Sequence, residues 1–460
     1  MDKSYFVSQV AEAIKENICE LFVGSGISCS AKLPNWKDLL RPVAQAYGFD
    51  VDITEDLPLV AQYILNENSG NRNVLTKLVS DHFDVHGITT QLHHIIANMG
   101  ITQYWTTNYD PLLEEALSKN ANVSVICKDA DLKKSIRDDN IVVIKLHGSY
   151  NEPDSIILTR NDYDNYFMSH SLIQEQLSAT LTRKSILFIG YSYSDPDIRM
   201  IMAHAQSKLN GTQNHYLITK RPQKGKSKQS AQQERMFDGW IKELQRLGIH
   251  VLCIDNYDEL PSILREISMQ SRGRSVFITG SHKTADSIIH KEAIVRKILD
   301  VDGILINGQS AGVGLYFLNS FCEIAFDNKK DISRHLRLFN NPYSINSRFS
   351  DDKSLIPELK RLRYELFQHT QMMIFYPGGM GTIAEQDMAI EQGCCILPII
   401  ENEDSYINEA VQYFMNQKEA EESLYMYAPG YMEILRRRGI PSENDVLDAI
   451  ERILKGQYND

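Results

Sequence analysis

Short apolar runs that end in small or polar residues recur along the first half of the chain, at Cys19–Gly24, Ile101–Thr107, Ile141–Leu146, Ser185–Gly190, His215–Thr219 and Ile249–Ile254. Runs of this length suit strands covered on both faces, and most of the intervals are long enough for a helix. The alternation predicts an α/β fold with a parallel sheet between helical layers. The opening segment fits, because Val7, Val10, Ala11 and Ile14 fall at helical spacing before the first run. In such a sheet the chemistry gathers in the loops after the carboxyl ends of the strands.

The same rhythm restarts further on, in VFITGSHK (276–283), GILINGQSAGVG (303–314), MMIFYPGGMGT (372–382) and CCILPII (394–400). A helical pattern over Glu259–Ile267 and the break Ser268–Ser275 separate the two halves. With 460 residues the chain exceeds what one hydrophobic core normally organises. We therefore expect two α/β domains, over residues 1–270 and 275–460. The basic stretch KRPQKGKSKQSAQQER between Lys220 and Arg235 lacks apolar periodicity and reads as an exposed loop.

Charge narrows the partners. Lys and Arg number 48 against 60 Asp and Glu, a net charge of −12. That balance argues against a nucleic-acid or anionic-membrane partner. No apolar run approaches the roughly 18 residues of a membrane helix, and the polar start has no signal-peptide core, so the expected compartment is cytoplasmic. Seven cysteines, at 19, 29, 127, 253, 322, 394 and 395, include no CxxC pair. Neither a disulfide framework nor a four-thiolate zinc site is expected, and no metal is assigned. The vicinal Cys394 and Cys395 read as core packing.

Four polar turns follow the apolar runs of the first half: Gly24-Ser25-Gly26-Ile-Ser28, Thr106-Thr-Asn108-Tyr-Asp110, Lys145-Leu-His147-Gly-Ser149 and Ile189-Gly190-Tyr-Ser192-Tyr-Ser-Asp195-Pro-Asp197. A glycine turn before a helix can bring backbone N–H groups to a phosphate. His147 can take a proton near neutral pH, Asn108 can orient a hydroxyl or water, and Asp110 can hold a second polar group. Together they predict one pocket.

These blocks, GSGIS, TTNYD, KLHGS and FIGYSYSDPDIR in this order, resemble the signature of the sirtuin family over roughly residues 20–200. The resemblance implies a Rossmann-like domain that binds NAD and breaks its nicotinamide–ribose bond. It implies that Gly24, Ser25 and Gly26 form the phosphate-side loop and that Asn108 and Asp110 contact nicotinamide and ribose. His147 would be the catalytic histidine, with Gly190 and Ser192 in the later cofactor-contacting block. Protein-deacylating sirtuins carry two CxxC pairs for zinc, which this chain lacks. The departure favours the zinc-less branch of bacterial defence proteins, in which water is the acceptor and NAD becomes nicotinamide and ADP-ribose. A protein deacylase is the alternative.

In the second half, Pro377-Gly378-Gly379-Met-Gly381-Thr382-Ile-Ala-Glu385 follows an apolar run, with Gly280-Ser281 and Gly308-Gln-Ser-Ala-Gly312 at two other strand ends. Such loops form an anion cradle. This half resembles the SLOG superfamily, relatives of the lonely-guy phosphoribohydrolases, over about 276–400. The resemblance implies a second Rossmann-like domain in which Glu385 and an upstream arginine face a nucleotide. Arg334, Arg337, Arg361 and Arg363 are candidates for that arginine, and the pattern does not choose among them. Arg334 is placed in the expected signal-binding set with Gly280, Ser281, Gly308, Gly312, Gly378, Gly379, Gly381, Thr382 and Glu385. A nucleotide phosphoribohydrolase is the alternative.

A sirtuin-like block followed by a SLOG block resembles the Thoeris family of antiphage effectors. That likeness implies that a cyclic ADP-ribose isomer, made by a TIR-domain protein, binds the second domain and releases NAD hydrolysis in the first. It also implies a homo-oligomer, a tetramer built through the sirtuin-like domains.

Overall fold

The structure, a computed structural model, describes residues 1–54, 56–119, 121–133, 140–191, 214–223, 228–281, 284, 287–310, 312–341 and 363–457. The chain divides into two units, Met1–Ile267 and Ser268–Asp460.

The first unit is built on seven strands: β1 (Cys19–Val23), β2 (Gln103–Thr106), β3 (Val123–Ile126), β4 (Ile141–Lys145), β5 (Ser185–Ile189), β6 (His215–Lys220) and β7 (Ile249–Ile254). All pairs are parallel, in the order β3-β4-β2-β1-β5-β6-β7. Successive side chains alternate between two separate cores. Leu21, Tyr104, Val143 and Leu187 face one, packed on Phe6 and Val10 of the helix Lys3–Lys15, while their neighbours Phe22, Trp105, Ile144 and Phe188 face the other. This two-sided burial is why the strands read as unbroken apolar runs. Glu20 interrupts β1 yet is buried, because its carboxylate accepts from Trp105 Nε1 at 2.6 Å and Gln103 Nε2 at 2.9 Å and lies 3.0 Å from Lys184 Nζ.

Between β1 and β2 lies a helical insertion that the strand rhythm does not announce. Its main helices are Trp36–Ala46, Leu57–Glu67 and Asn73–Phe83. Asn35 and Asp56 start the first two by accepting from the Asp38 and Leu59 amides. Their apolar faces form a third core of Leu39, Leu40, Val60, Ile64, Leu75 and Val79, closed by Tyr109, Ile156 and Leu158 from the loops after β2 and β4.

Two expectations need correction. The basic stretch 220–235 is not all loop: residues 224–227 lie outside the described residues, but Lys228–Arg246 is one helix. Its first turns lack apolar periodicity but consist of residues with good helix propensity, propagated from a part that packs Trp240, Ile241 and Leu244 on the sheet. The strand β3 was not expected either. It lies at the sheet's edge and only Ile126 is fully buried, so it carries no apolar run.

The second unit has five strands, β8 (Ser275–Thr279), β9 (Ile304–Asn307), β10 (Leu336–Leu338), β11 (Met372–Phe375) and β12 (Cys395–Pro398), parallel in the order β10-β9-β8-β11-β12. The edge strand β10 has three residues, two of them exposed, and escapes sequence reading for the same reason as β3. Cys394 and Cys395 are buried, and burial pushes their thiols up to about 11 and about 12, which keeps them protonated. Among the described residues no helix is long and apolar enough to cross a membrane.

Candidate active site

In the first sheet Val23 pairs with both Thr106 and Ile189, and Thr106 pairs with Lys145. Four strands thus end on one level, and Gly24, Thr107, Leu146 and Gly190 leave the sheet side by side. From β1 the chain runs to β2 on one side and β5 lies on the other, so this level is the switch point where parallel sheets collect ligands.

The glycines of the first and last turns interlock. A Cβ on Gly24 would lie 2.4 Å from the Gly190 carbonyl oxygen, one on Gly26 would lie 2.9 Å from Gly190 Cα, and one on Gly190, at φ +60°, would lie 2.7 Å from Ile27 N. The Gly24 and Gly26 amides donate to Ile189 O at 2.9 Å and Gly190 O at 2.8 Å. These two N–H groups hold the β5 turn, and exposed Ser25 stands between them. Ser192, Asp195 and Asp197 lie outside the described residues.

Asn108 donates through Nδ2 to Gly24 O at 3.2 Å and to Ser28 Oγ at 2.9 Å. Ser28 in turn donates to Asp110 Oδ2 at 2.7 Å, and Asp110 Oδ1 accepts from the Leu112 amide at 3.2 Å. The Asn108 backbone N–H is held by Thr106 Oγ1 at 3.0 Å. Asn108 Oδ1 is buried and has no partner among the described residues. Below this layer Lys145, fully buried, donates to Asp110 O and to Glu114 Oε1, each at 2.6 Å. The sequence placed Ser28 and Lys145 in their turns without assigning them a role, and nothing singled out Glu114. A lysine closing an apolar strand was the available signal for Lys145.

His147 is buried in aromatic surroundings, with Tyr163 edge-on at 5.5 Å and Tyr166 at 6.5 Å between ring centroids. Its carbonyl accepts from Ile157 N at 3.0 Å, and the next residue, Gly148, takes φ +84° with Ser155 O only 2.2 Å from where a Cβ would be. Tyr166 donates to Leu146 O at 3.1 Å and stacks on His170 at 4.7 Å, whose imidazole burial shifts downward. Nothing in the sequence marked these tyrosines. One group of possible metal ligands occurs among the described residues, Cys127, Asp131 and Glu152. Its chemistry suits a structural turn better: Asp131 Oδ2 accepts from the Cys127 and Lys128 amides at 3.0 and 3.2 Å, Glu152 pairs with Lys128 at 2.8 Å, and burial pushes the Cys127 thiol up to about 12.

In the second unit, Thr279 pairs with Phe375 and Phe277 with Ile306, so the turns after β8, β9 and β11 also leave together. Arg363 is buried among them, donating to Gly308 O at 3.2 Å, Ser310 Oγ at 3.1 Å and Glu385 Oε1, with its guanidinium 5.3 Å from the Phe277 ring. A Cβ on Gly308 would lie 2.0 Å from Arg363 Nη1, so any side chain there displaces the guanidinium. A Cβ on Gly378 would meet Thr382 Oγ1 at 2.2 Å, and Gly280 and Gly312 take φ +139° and +83°. Gly379 caps the 12-residue helix Met380–Glu391, and both it and Gly381 face open space. Ser281 N donates to Pro377 O at 3.1 Å. Arg334 is a correction: it precedes β10, at the amino edge of the sheet, exposed and paired with Asp302 at 2.7 Å. Arg337 is exposed as well, and Arg361 lies outside the described residues.

A SIR2-like domain family matches residues 102–251. The chain is 30% identical over 344 residues to NAD(+) hydrolase ThsA of Acinetobacter baumannii (strain 532279), covering 71% of this chain and 70% of that protein. It is 29% identical over 419 residues to NAD(+) hydrolase ThsA of Bacillus cereus (strain MSX-D12), covering 86% of each. Defense-associated sirtuin 2 of Bacillus subtilis is 25% identical over 207 residues, 43% of this chain and 20% of that protein.

Proposed function

The chain belongs to the NAD(+) hydrolase ThsA family, and from that membership we propose that its first unit hydrolyses NAD in defence under control of a nucleotide signal bound by its second. The chain is an NAD hydrolase, and the products are nicotinamide and ADP-ribose. The observation that carries the catalytic half is the common level at which β2 and β4 end, which puts Asn108 and His147 on neighbouring turns. Nicotinamide leaves as a neutral base, so the bond breaks through an oxocarbenium-like state without a strong general acid. The protein has to position the ribose and supply an oriented nucleophile. Asn108 Oδ1 orients the water or a ribose hydroxyl, and His147 accepts the proton. Chromatography of NAD incubated with the purified chain, with and without cyclic ADP-ribose isomers, tests this. His147→Ala and Asn108→Ala abolish nicotinamide release at unchanged melting temperature; normal turnover in either variant refutes the assignment.

The second unit senses a cyclic ADP-ribose isomer made by a TIR-domain protein, in a homotetramer. Supporting this reading are the buried Arg363 guanidinium and the glycine turns around it, which suit a diphosphate. The signal activates by binding the active arrangement more tightly than the resting one. Glu385→Ala or Gly379→Asp removes activation by added isomer and leaves NAD binding intact. A normal response in both variants places the sensor elsewhere.

A further inference from the structure

We propose that Ser28 and Asp110 are positioning residues that fix the carboxamide of Asn108 in one orientation, with Oδ1 presented as a naked acceptor to the reacting ribose or water. The inference rests on the reading of Asn108 as catalytic and assigns Asp110 a role other than contact with nicotinamide.

The argument is an account of hydrogens. A backbone carbonyl can only accept, so the Asn108 atom 3.2 Å from Gly24 O is the amide nitrogen. The second Nδ2 hydrogen points at Ser28 Oγ, 2.9 Å away. A hydroxyl has one hydrogen, and Ser28 gives it to the Asp110 carboxylate at 2.7 Å, which leaves only lone pairs toward Asn108. Flipping the amide would set Oδ1 against the Gly24 carbonyl and against those lone pairs, two repulsions in place of two bonds. Both donors of the amide are therefore satisfied, and its oxygen, buried with no partner among the described residues, is the one atom left to meet a substrate. Asp110 is itself 3% exposed and anchored by the Leu112 amide, and Lys145 holds its carbonyl. The carboxylate is thus enclosed behind the serine and acts on the reaction through Asn108.

The test is steady-state NAD hydrolysis by the full chain, in the presence of the cyclic ADP-ribose isomer that gives most activity, for Ser28→Ala, Asp110→Asn and the double variant. Ser28→Ala leaves the Gly24 bond in place but frees the amide to pivot, and kcat falls roughly 10- to 100-fold while KM for NAD changes less than about three-fold. Because both residues act through one amide, the double variant loses no more than the worse single one. Losses that multiply, or a rise in KM with unchanged kcat, overturn the relay. Crystal structures of Ser28→Ala give a readout without activity: an Asn108 carboxamide that turns away from its native position supports the relay, and one that keeps it contradicts it. Asn108→Ala separates the two levels. If that variant is inactive and Ser28→Ala is fully active, the relay alone fails; if Asn108→Ala turns over normally, the catalytic reading fails with it.

Discussion

Lys145 has no exposed surface, and its ammonium is 2.6 Å from both Glu114 Oε1 and Asp110 O. Replacing it by Met keeps the bulk of the stem and removes the charge. Glu114, whose side chain is 13% exposed, is then a largely desolvated carboxylate without its cation, a loss of up to about 3–5 kcal/mol. The unpaired Asp110 carbonyl adds about 1–3 kcal/mol. For a unit of this size each kcal/mol lowers the midpoint by about 2–4 °C, so the ion-pair component alone lowers it by about 6–20 °C. The double change Lys145→Met with Glu114→Leu removes both charges and recovers most of that component, since a buried pair gains little over apolar groups of the same volume. Calorimetry of the full chain, following the transition of the first unit, measures all three proteins. A single variant within about 2 °C of the parent, or a double variant below the single, refutes the account of Lys145 as half of a desolvated pair.

His215 is buried with Nδ1 accepting from the Ile186 amide at 3.1 Å, and burial pushes its pKa down from 6.5 to about 4. Above pH 6.5 both states hold the ring neutral; as pH falls from 6.5 toward 4 the unfolded chain gains a proton the folded one refuses, and about 3 kcal/mol of stability is lost. Urea melts at pH 7 and pH 4.5 show a gap that narrows in His215→Gln; an equal gap removes His215 as its source. Gly190→Ala, where the new Cβ meets Ile27 N at 2.7 Å, destabilises the first unit more than Gly48→Ala, which has φ +79° but nothing within 4 Å. Equal melting temperatures for the two variants would show that the interlock adds nothing to the backbone cost. In the second unit Arg363→Ala abolishes activation by the cyclic isomer, whereas Arg334→Ala, whose exposed bridge to Asp302 contributes at most about 1 kcal/mol, leaves the half-maximal isomer concentration unchanged. A reversal of that order by titration would restore Arg334 to the site.

Central strands were legible because both of their faces are apolar, which writes burial directly into a run such as Leu21-Phe22-Val23. The edge strands β3 and β10 bury too little to leave that trace. Asn108 and His147 were legible because they follow such runs immediately. Their supports were not, since the bonds of Asn108 reach back to Gly24 and Ser28, and pairing across that distance has no local pattern. The glycines of the first turn were legible as a tight turn, but the closeness of their N–H groups and absent Cβ atoms to the β5 turn was not, since it too joins distant parts of the chain. Arg363 could not be told from Arg334 in sequence, because what distinguishes them is enclosure by loops that meet only in the folded unit.

The triple contact of Gly24, Gly26 and Gly190 bears on how such a protein can be re-engineered. Saturating any one of these codons singly should return glycine alone from a selection for active clones. A search for altered dinucleotide preference therefore has its usable diversity in the side chains around this clasp, and none in the clasp itself.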